Sequence, residues 1–196
     1  MSNDACGTMK VVAKNKNTLK RLLKIMNYED TEYCLYRCKS CDAESEPYKE
    51  DGFWVQMFGI DGAWSCEPFL NYGDHPDRHL KEYQKKKDGT FDYSKEEVET
   101  STHFTDLSHL AKTLKFGAMF WTSESGCCFA ERGLVHANGR YEYDTEHYEL
   151  HYAEDENGEI DYSQEPEEDC GFGDEFNEWL YNDEIYEDEV YEEEED

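Results

Sequence analysis

Three cysteines in nine residues, "YCLYRCKSC" (Tyr33–Cys41), are the first side chains in this sequence that could do chemistry. Cys34, Cys38 and Cys41 stand as C-x3-C-x2-C, and three thiolates at that spacing could carry an iron–sulfur cluster with one iron left open. In an alternating strand, however, Cys34 and Cys38 would face one way and Cys41 the other, which splits the set. A zinc site could instead use Cys38 and Cys41 with Cys66, or with Cys127 and Cys128, if the fold gathers them. No second C-x2-C or H-x3-H completes it, and the plainer reading makes these thiols small buried hydrophobes. The expectation is therefore no bound metal and no cofactor.

Other nucleophiles and bases are equally scattered. His75 and His79 are four apart, but Pro76 lies between them and disfavours the helix that would align them. His147 and His151 share that spacing in a tyrosine-rich strand. Ser123 and Ser125 in "TSESG" lack a G-x-S-x-G elbow, and Glu124 with Glu131 is a carboxylate pair in a chain full of carboxylates. Neither G-x-G-x-x-G nor a Walker pattern occurs. No enzyme is expected.

Charge carries more information. The 196 residues hold 48 acids and 19 bases, a net charge of −29. Residues 151–196 contain 22 of those acids and no Lys or Arg, leaving the first 150 residues at only −7. That field opposes charge-driven binding to nucleic acid or to an anionic membrane, and it favours a basic partner. No apolar run could span a bilayer, and no charged segment followed by an apolar one opens the sequence. Residence in the cytoplasm of a host cell is expected, with reduced thiols.

The acidic ending also carries apolar anchors. Through "NEWLYNDEIYEDEVYEEEED", aromatic or branched residues recur every three to five positions. A purely solvating tail has no use for them. Glu178, Asp183, Glu184, Glu187, Asp188 and Glu189 can stand in for phosphates, while Trp179, Tyr181, Tyr186 and Tyr191 anchor a partner.

Two amphipathic helices and several strands must position these groups. "NTLKRLLKIMN" places Leu19, Leu22, Leu23 and Met26 on one stripe, with Asn17 as the cap and a basic face of Lys14, Lys16, Lys20, Arg21 and Lys24. That face reads as solvated. "FTDLSHLAKTLKFG" repeats the pattern, with Thr105 or Asp106 as cap and Gly117 near its end. Strands are predicted over Gly7–Asn15, Tyr33–Cys41 and Phe53–Ile60, the last two as a hairpin. Three more follow the second helix, joined in part by the tight turn Ala137–Arg140. Asp74–Thr102 reads as a polar surface insertion with a helical turn or two. The order β-α-β-β, insertion, α-β-β-β predicts a ferredoxin-like α+β sandwich over residues 1–153, two helices on an antiparallel sheet, followed by an acidic extension over 154–196.

Two stretches, "FGIDGAWSCEPFL" (Phe58–Leu70) and "TSESGCCFAERGLVHANGRYEY" (Thr122–Tyr143), resemble the YubB-type ferredoxin-like proteins carried by plasmids and phages. The resemblance spans about Met9–Tyr152 and implies that fold and a mobile-element origin, but no catalytic residues. With the acidic ending, it leads to the expectation of a nucleic-acid mimic. Its partner would be a basic nucleic-acid-binding protein of host defence, a CRISPR effector or a restriction enzyme. A chaperone-like or assembly module for a basic protein is the alternative, and a zinc-stabilised domain is a third.

Overall fold

A computed structural model describes residues 4–36, 38–63, 65–71, 79–124, 128–153, 159–160 and 167–169. Its centre is a seven-stranded antiparallel sheet. β1 (Asp4–Ala13) lies between β5 (Phe53–Ala63) and β8 (Phe116–Glu124), and β8 continues to β9 (Phe129–Val135) and β10 (Tyr141–His147). On the other side, β5 pairs with both β3 (Cys38–Ala43) and β4 (Tyr48–Glu50). The β4–β5 hairpin turns at Asp51 and Gly52, both at positive φ, the two-residue geometry whose twist matches its flanking strands.

Strand alternation gives the sheet two unlike faces. Met9 and Val11 of β1, Phe58 and Ile60 of β5, and Phe116, Ala118 and Phe120 of β8 all enter the main core. Against them pack α1 (Lys16–Met26) and α3 (Leu107–Leu114). Leu19, Leu22, Ile25 and Met26 of α1 are fully buried, each contributing about 1.5–3 kcal/mol. Gly133 of β9 lies under the Phe120 ring, where a Cβ would come within 2.2 Å of Cε1, so the ring fills the place of a side chain. The opposite face carries a smaller cluster of Val12, Val55, Met119 and Leu134. Lys10 of β1 points to that side and is 2% exposed, its ammonium 3.5 Å from the Glu50 carboxylate.

The ferredoxin-like expectation is overturned. The chain is mostly strand, and its large sheet is accompanied by a separate three-stranded mixed sheet, so it is not a small two-helix sandwich. In the mixed sheet, β7 (Val98–Thr105) runs parallel to β2 (Tyr33–Leu35) and antiparallel to β6 (His79–Glu82). The insertion read as polar surface with helical turns therefore supplies two strands. Alternation there is weak because β7 is exposed over most of its first half.

The single strand expected over Tyr33–Cys41 divides between the two sheets. Cys34 and Leu35 are both buried, so β2 is covered on each side. A register shift between Cys38 and Ser40 then changes the parity of β3 and turns Cys38 and Cys41 alike towards the helices.

Both long helices begin one step from a polar cap. Asn15, not Asn17, caps α1, its side-chain oxygen accepting from the Asn17 N–H at 2.9 Å. Asp106 caps α3 by accepting from the His109 N–H at 2.7 Å. Lys115 at φ 57° ends that helix, and Gly117 already belongs to β8. At the far end of α1, the Asn27 amide donates to the Cys41 carbonyl at 2.8 Å and accepts from its N–H at 3.3 Å. Those two bonds occupy the outer edge of β3, where another strand could otherwise add.

The turn at Asn138–Gly139 is present, with Gly139 at φ 88° and the His136 N–H donating to the Arg140 carbonyl at 2.8 Å. β12 (Glu167–Asp169) lies beyond the expected boundary at residue 154 and pairs with β11 (Glu149–His151). Among the described residues, no helix is long and apolar enough to cross a membrane.

Candidate functional site

Among the described residues, the Glu131 carboxylate is 1% exposed and is met by four hydrogen-bond donors. Pairing of β8 with β9 sets Thr122 opposite Glu131, and β10 brings Tyr143 to the same face opposite Gly133. The chain leaving β5 turns at Ser65 into the short helix α2 (Glu67–Leu70). Four donors then converge. The Tyr143 hydroxyl donates to Oε1 at 2.7 Å, and the Ser65 hydroxyl donates to the same oxygen. The Cys66 N–H donates to Oε2 at 2.7 Å, and the Thr122 hydroxyl at 3.1 Å.

An ionised carboxylate has about four acceptor positions, and these donors fill them. No position is left to take a proton from a substrate, so the group fastens the Ser65–Leu70 segment to the sheet. Burial, reinforced by the bond to Glu131, holds the Tyr143 phenol well above the ordinary tyrosine value. The stretches Phe58–Leu70 and Thr122–Tyr143 thus meet at one buried carboxyl group. Strand alternation could have shown it, since Phe129, Glu131, Gly133 and Val135 share the inward side of β9 and only one is charged.

A second concave place lies between the mixed sheet and α3, a cleft of about 490 Å³ lined mainly by Glu32, Tyr33, His103, Phe104 and His109. Arg21 of α1 reaches Asp30 at 3.2 Å and also Glu32 at its edge. Burial draws the Asp30 carboxyl upward, but bonds from Arg21 and from the N–H groups of Glu32 and Tyr33 outweigh it and hold it below the usual range. Those two acids leave Arg21 committed, while Lys16 sits 5.0 Å from the Trp54 ring. The basic face of α1 is therefore partly spent on its own chain. Sequence reasoning missed this cleft because the first part of β7, which lines it at Ser101, was read as polar surface.

The candidate pairs weighed from spacing are placed as follows where they are described. Glu124 lies opposite Phe129, one inward position beyond the Thr122–Glu131 pair, and Ser123 points to the other face. His79 stacks on His103 with ring centroids 4.1 Å apart and contacts the Thr100 carbonyl through Nδ1 at 2.8 Å. His147 belongs to β10 and His151 to β11. His75, Ser125 and Cys127 lie outside the described residues, as do all ten expected partner contacts: Glu178, Trp179, Tyr181, Asp183, Glu184, Tyr186, Glu187, Asp188, Glu189 and Tyr191.

Cys38, Cys41 and Cys66 are buried in the main core, and among the described residues no group of three or more His, Cys, Asp or Glu could hold a metal ion. Burial, and then the nearby Asp61, pushes the Cys38 thiol up to about 12. Burial and then Glu82 do the same to Cys34, again to about 12, and burial raises Cys41 and Cys66 as well. The reactive species is the thiolate. Timed iodoacetamide pulses at pH 7.5, read by peptide mass spectrometry, should therefore label exposed Cys6 and half-buried Cys128 first among the described cysteines. Labelling of Cys34, Cys38, Cys41 and Cys66 should wait for unfolding, and rapid modification of Cys66 would contradict this packing.

Compared with known proteins, the chain matches no family model, no curated protein and no solved structure.

Proposed function

We propose that the protein is a non-enzymatic inhibitor that occupies the basic nucleic-acid channel of a host defence protein, a CRISPR effector or a restriction enzyme, by presenting carboxylates in place of phosphates. One observation carries the reading: 22 acids and no Lys or Arg fall within residues 151–196. Duplex DNA carries one charge per about 1.7 Å of its axis, and a basic channel built for a polyanion is offered here the chain's longest run of negative charge uninterrupted by Lys or Arg. The resemblance to plasmid and phage proteins supplies the setting in which such an inhibitor is useful.

The folded body supports this division of labour. Several of its acids are matched locally: Asp144 with Arg132 at 3.0 Å, Glu142 with Arg140 at 4.0 Å, and Asp30 with Arg21 at 3.2 Å. Along β10, Glu142, Asp144 and Glu146 share one face at about 6.8 Å intervals, half the linear charge density of a single DNA strand. Two of these three acids have an arginine partner, whereas residues 151–196 contain no Lys or Arg, so the mimicry falls to that segment.

Competition tests this directly. Protein captured with its partner from host lysate should be released by duplex DNA in proportion to concentration, and release should steepen with salt. A partner that duplex DNA never displaces would end the mimicry reading.

A further inference from the structure

The segment from Tyr83 to Lys95 folds into a small exposed hairpin. Lys85 bridges to Phe91, the Lys86 N–H donates to the Thr90 carbonyl at 2.7 Å, and the Asp92 N–H donates to the Gln84 carbonyl at 2.8 Å. Gly89 makes the turn at φ 87°. Asp88 accepts from the Thr90 N–H and hydroxyl at 3.0 and 2.7 Å, and Asp92 accepts from the Ser94 hydroxyl at 2.6 Å and pairs with Lys95 at 3.5 Å. The two aspartates of this loop are thus used within it. Lys85, Lys86 and Lys87 have no carboxylate partner among the described residues, in a chain of net charge −29.

Beside Lys85 stand three aromatic rings that belong to none of the buried clusters. Tyr83 and Tyr93 meet edge to face at 5.0 Å, Phe91 lies 6.2 Å from Tyr93, and the Lys85 ammonium is 5.5 Å from the Phe91 ring. Tyr93 is 72% exposed and Phe91 38%. Rings held out in water beside unpaired cations are the two components of a stacking platform for unpaired bases.

We infer that this hairpin binds single-stranded nucleic acid, its lysines meeting successive phosphates while Phe91 and Tyr93 stack on bases. A single strand offers a phosphate and an open base face at every residue, and so satisfies both groups along its length. A duplex offers the phosphates but hides the faces. The body's negative charge does not forbid the contact, because at physiological salt fields fade over about 8 Å. What the charge forbids is tight binding by attraction alone, so the rings must supply most of the affinity. This inference is independent of the proposed channel mimicry.

Anisotropy of a fluorescein-labelled 15-mer oligothymidylate, titrated with the full chain at 0.15 M salt, tests it. Binding should weaken at least about tenfold in F91A/Y93A and again in K85Q/K86Q/K87Q, both with unchanged circular dichroism because the hairpin lies outside the core. The slope of log affinity against log salt should not exceed about −2, the value for three lysines on a single strand. Neutralising the acids between residues 178 and 189, which tests the channel reading, should leave oligonucleotide affinity undiminished. No anisotropy change up to about 1 mM protein, beyond the usual range of non-specific affinities, would overturn the inference. So would equal binding by the variants, preference for a duplex 15-mer, or displacement of the oligonucleotide by polyglutamate, which would make the hairpin a site for acidic protein.

Discussion

Glu131→Ala is expected to cost about 3–5 kcal/mol of folding free energy, much of the 5–15 kcal/mol that holds a typical domain together. The side chain is buried, and removing it strands the hydroxyls of Ser65, Thr122 and Tyr143 and the Cys66 N–H around an empty space. Each stranded donor costs about 1–3 kcal/mol, and the hydroxyls recover part of that by rotating to other acceptors. Glu131→Gln should fall between, because its amide keeps the volume and one acceptor but turns an N–H₂ towards donors. Tyr143→Phe removes one bond and should cost about 1 kcal/mol. Urea titration with an unchanged m-value reads all three. A Glu131→Ala unfolding free energy within about 0.5 kcal/mol of the parent would mean that the four bonds are not made together.

The same cluster predicts a response to alkali. Tyr143 has its folded-state pKa raised by burial and then by its bond to Glu131. Its contribution is therefore complete below the unfolded value near 10, and it is lost as pH rises above that, since the unfolded chain then releases a proton that the native state retains. Stability measured from pH 8 to 11 should fall at the upper end, and less so in Tyr143→Phe.

The second large effect concerns the partner. Changing Glu178, Asp183, Glu184, Glu187, Asp188 and Glu189 to their amides removes six negative charges while keeping side-chain size. If these groups stand in for phosphates, association should slow by about 10- to 10³-fold at low salt, and its dependence on ionic strength should flatten. Replacing Trp179, Tyr181, Tyr186 and Tyr191 with Ser should act differently, raising the dissociation rate, with about 2 kcal/mol or more lost at the strongest anchor. Surface plasmon resonance against the captured partner separates the two. An acidic assembly module would tolerate the Ser changes at little cost, so an unchanged dissociation rate would favour that alternative over mimicry.

Local periodicity made much of the framework readable. α1 and α3 lie within a residue or two of their expected spans, because a 3.6-residue stripe and a nearby Asn or Asp cap are properties of contiguous sequence. The strands at Phe53 and Phe116 were legible as runs of β-forming residues, as was the Asn-Gly turn, whereas the two strands expected after them divide into β9, β10 and β11. The Tyr33–Cys41 strand failed as one element for a physical reason. Its two halves join different sheets, and a bulge reverses the side-chain parity on which the cysteine argument rested.

The cysteine spacing suggested ligands; burial made those thiols part of an apolar core. Glu131 was one acid among 48 until strand register set Thr122 and Tyr143 beside it and a distant turn supplied Ser65 and Cys66. The insertion likewise became two strands and an aromatic hairpin, because its partners, β2 and its own return strand, lie far away or carry little alternation.

What the sequence by itself determined is therefore local or additive: the caps, the helical stripes, the turn residues and the uneven charge that belongs to residues 151–196 wherever they lie. Only the tertiary structure decided the sheet order, which face each cysteine takes, and which carboxylate is enclosed by donors. Those properties depend on pairing between segments up to about a hundred residues apart, and a one-residue shift of register moves every side chain to the opposite face.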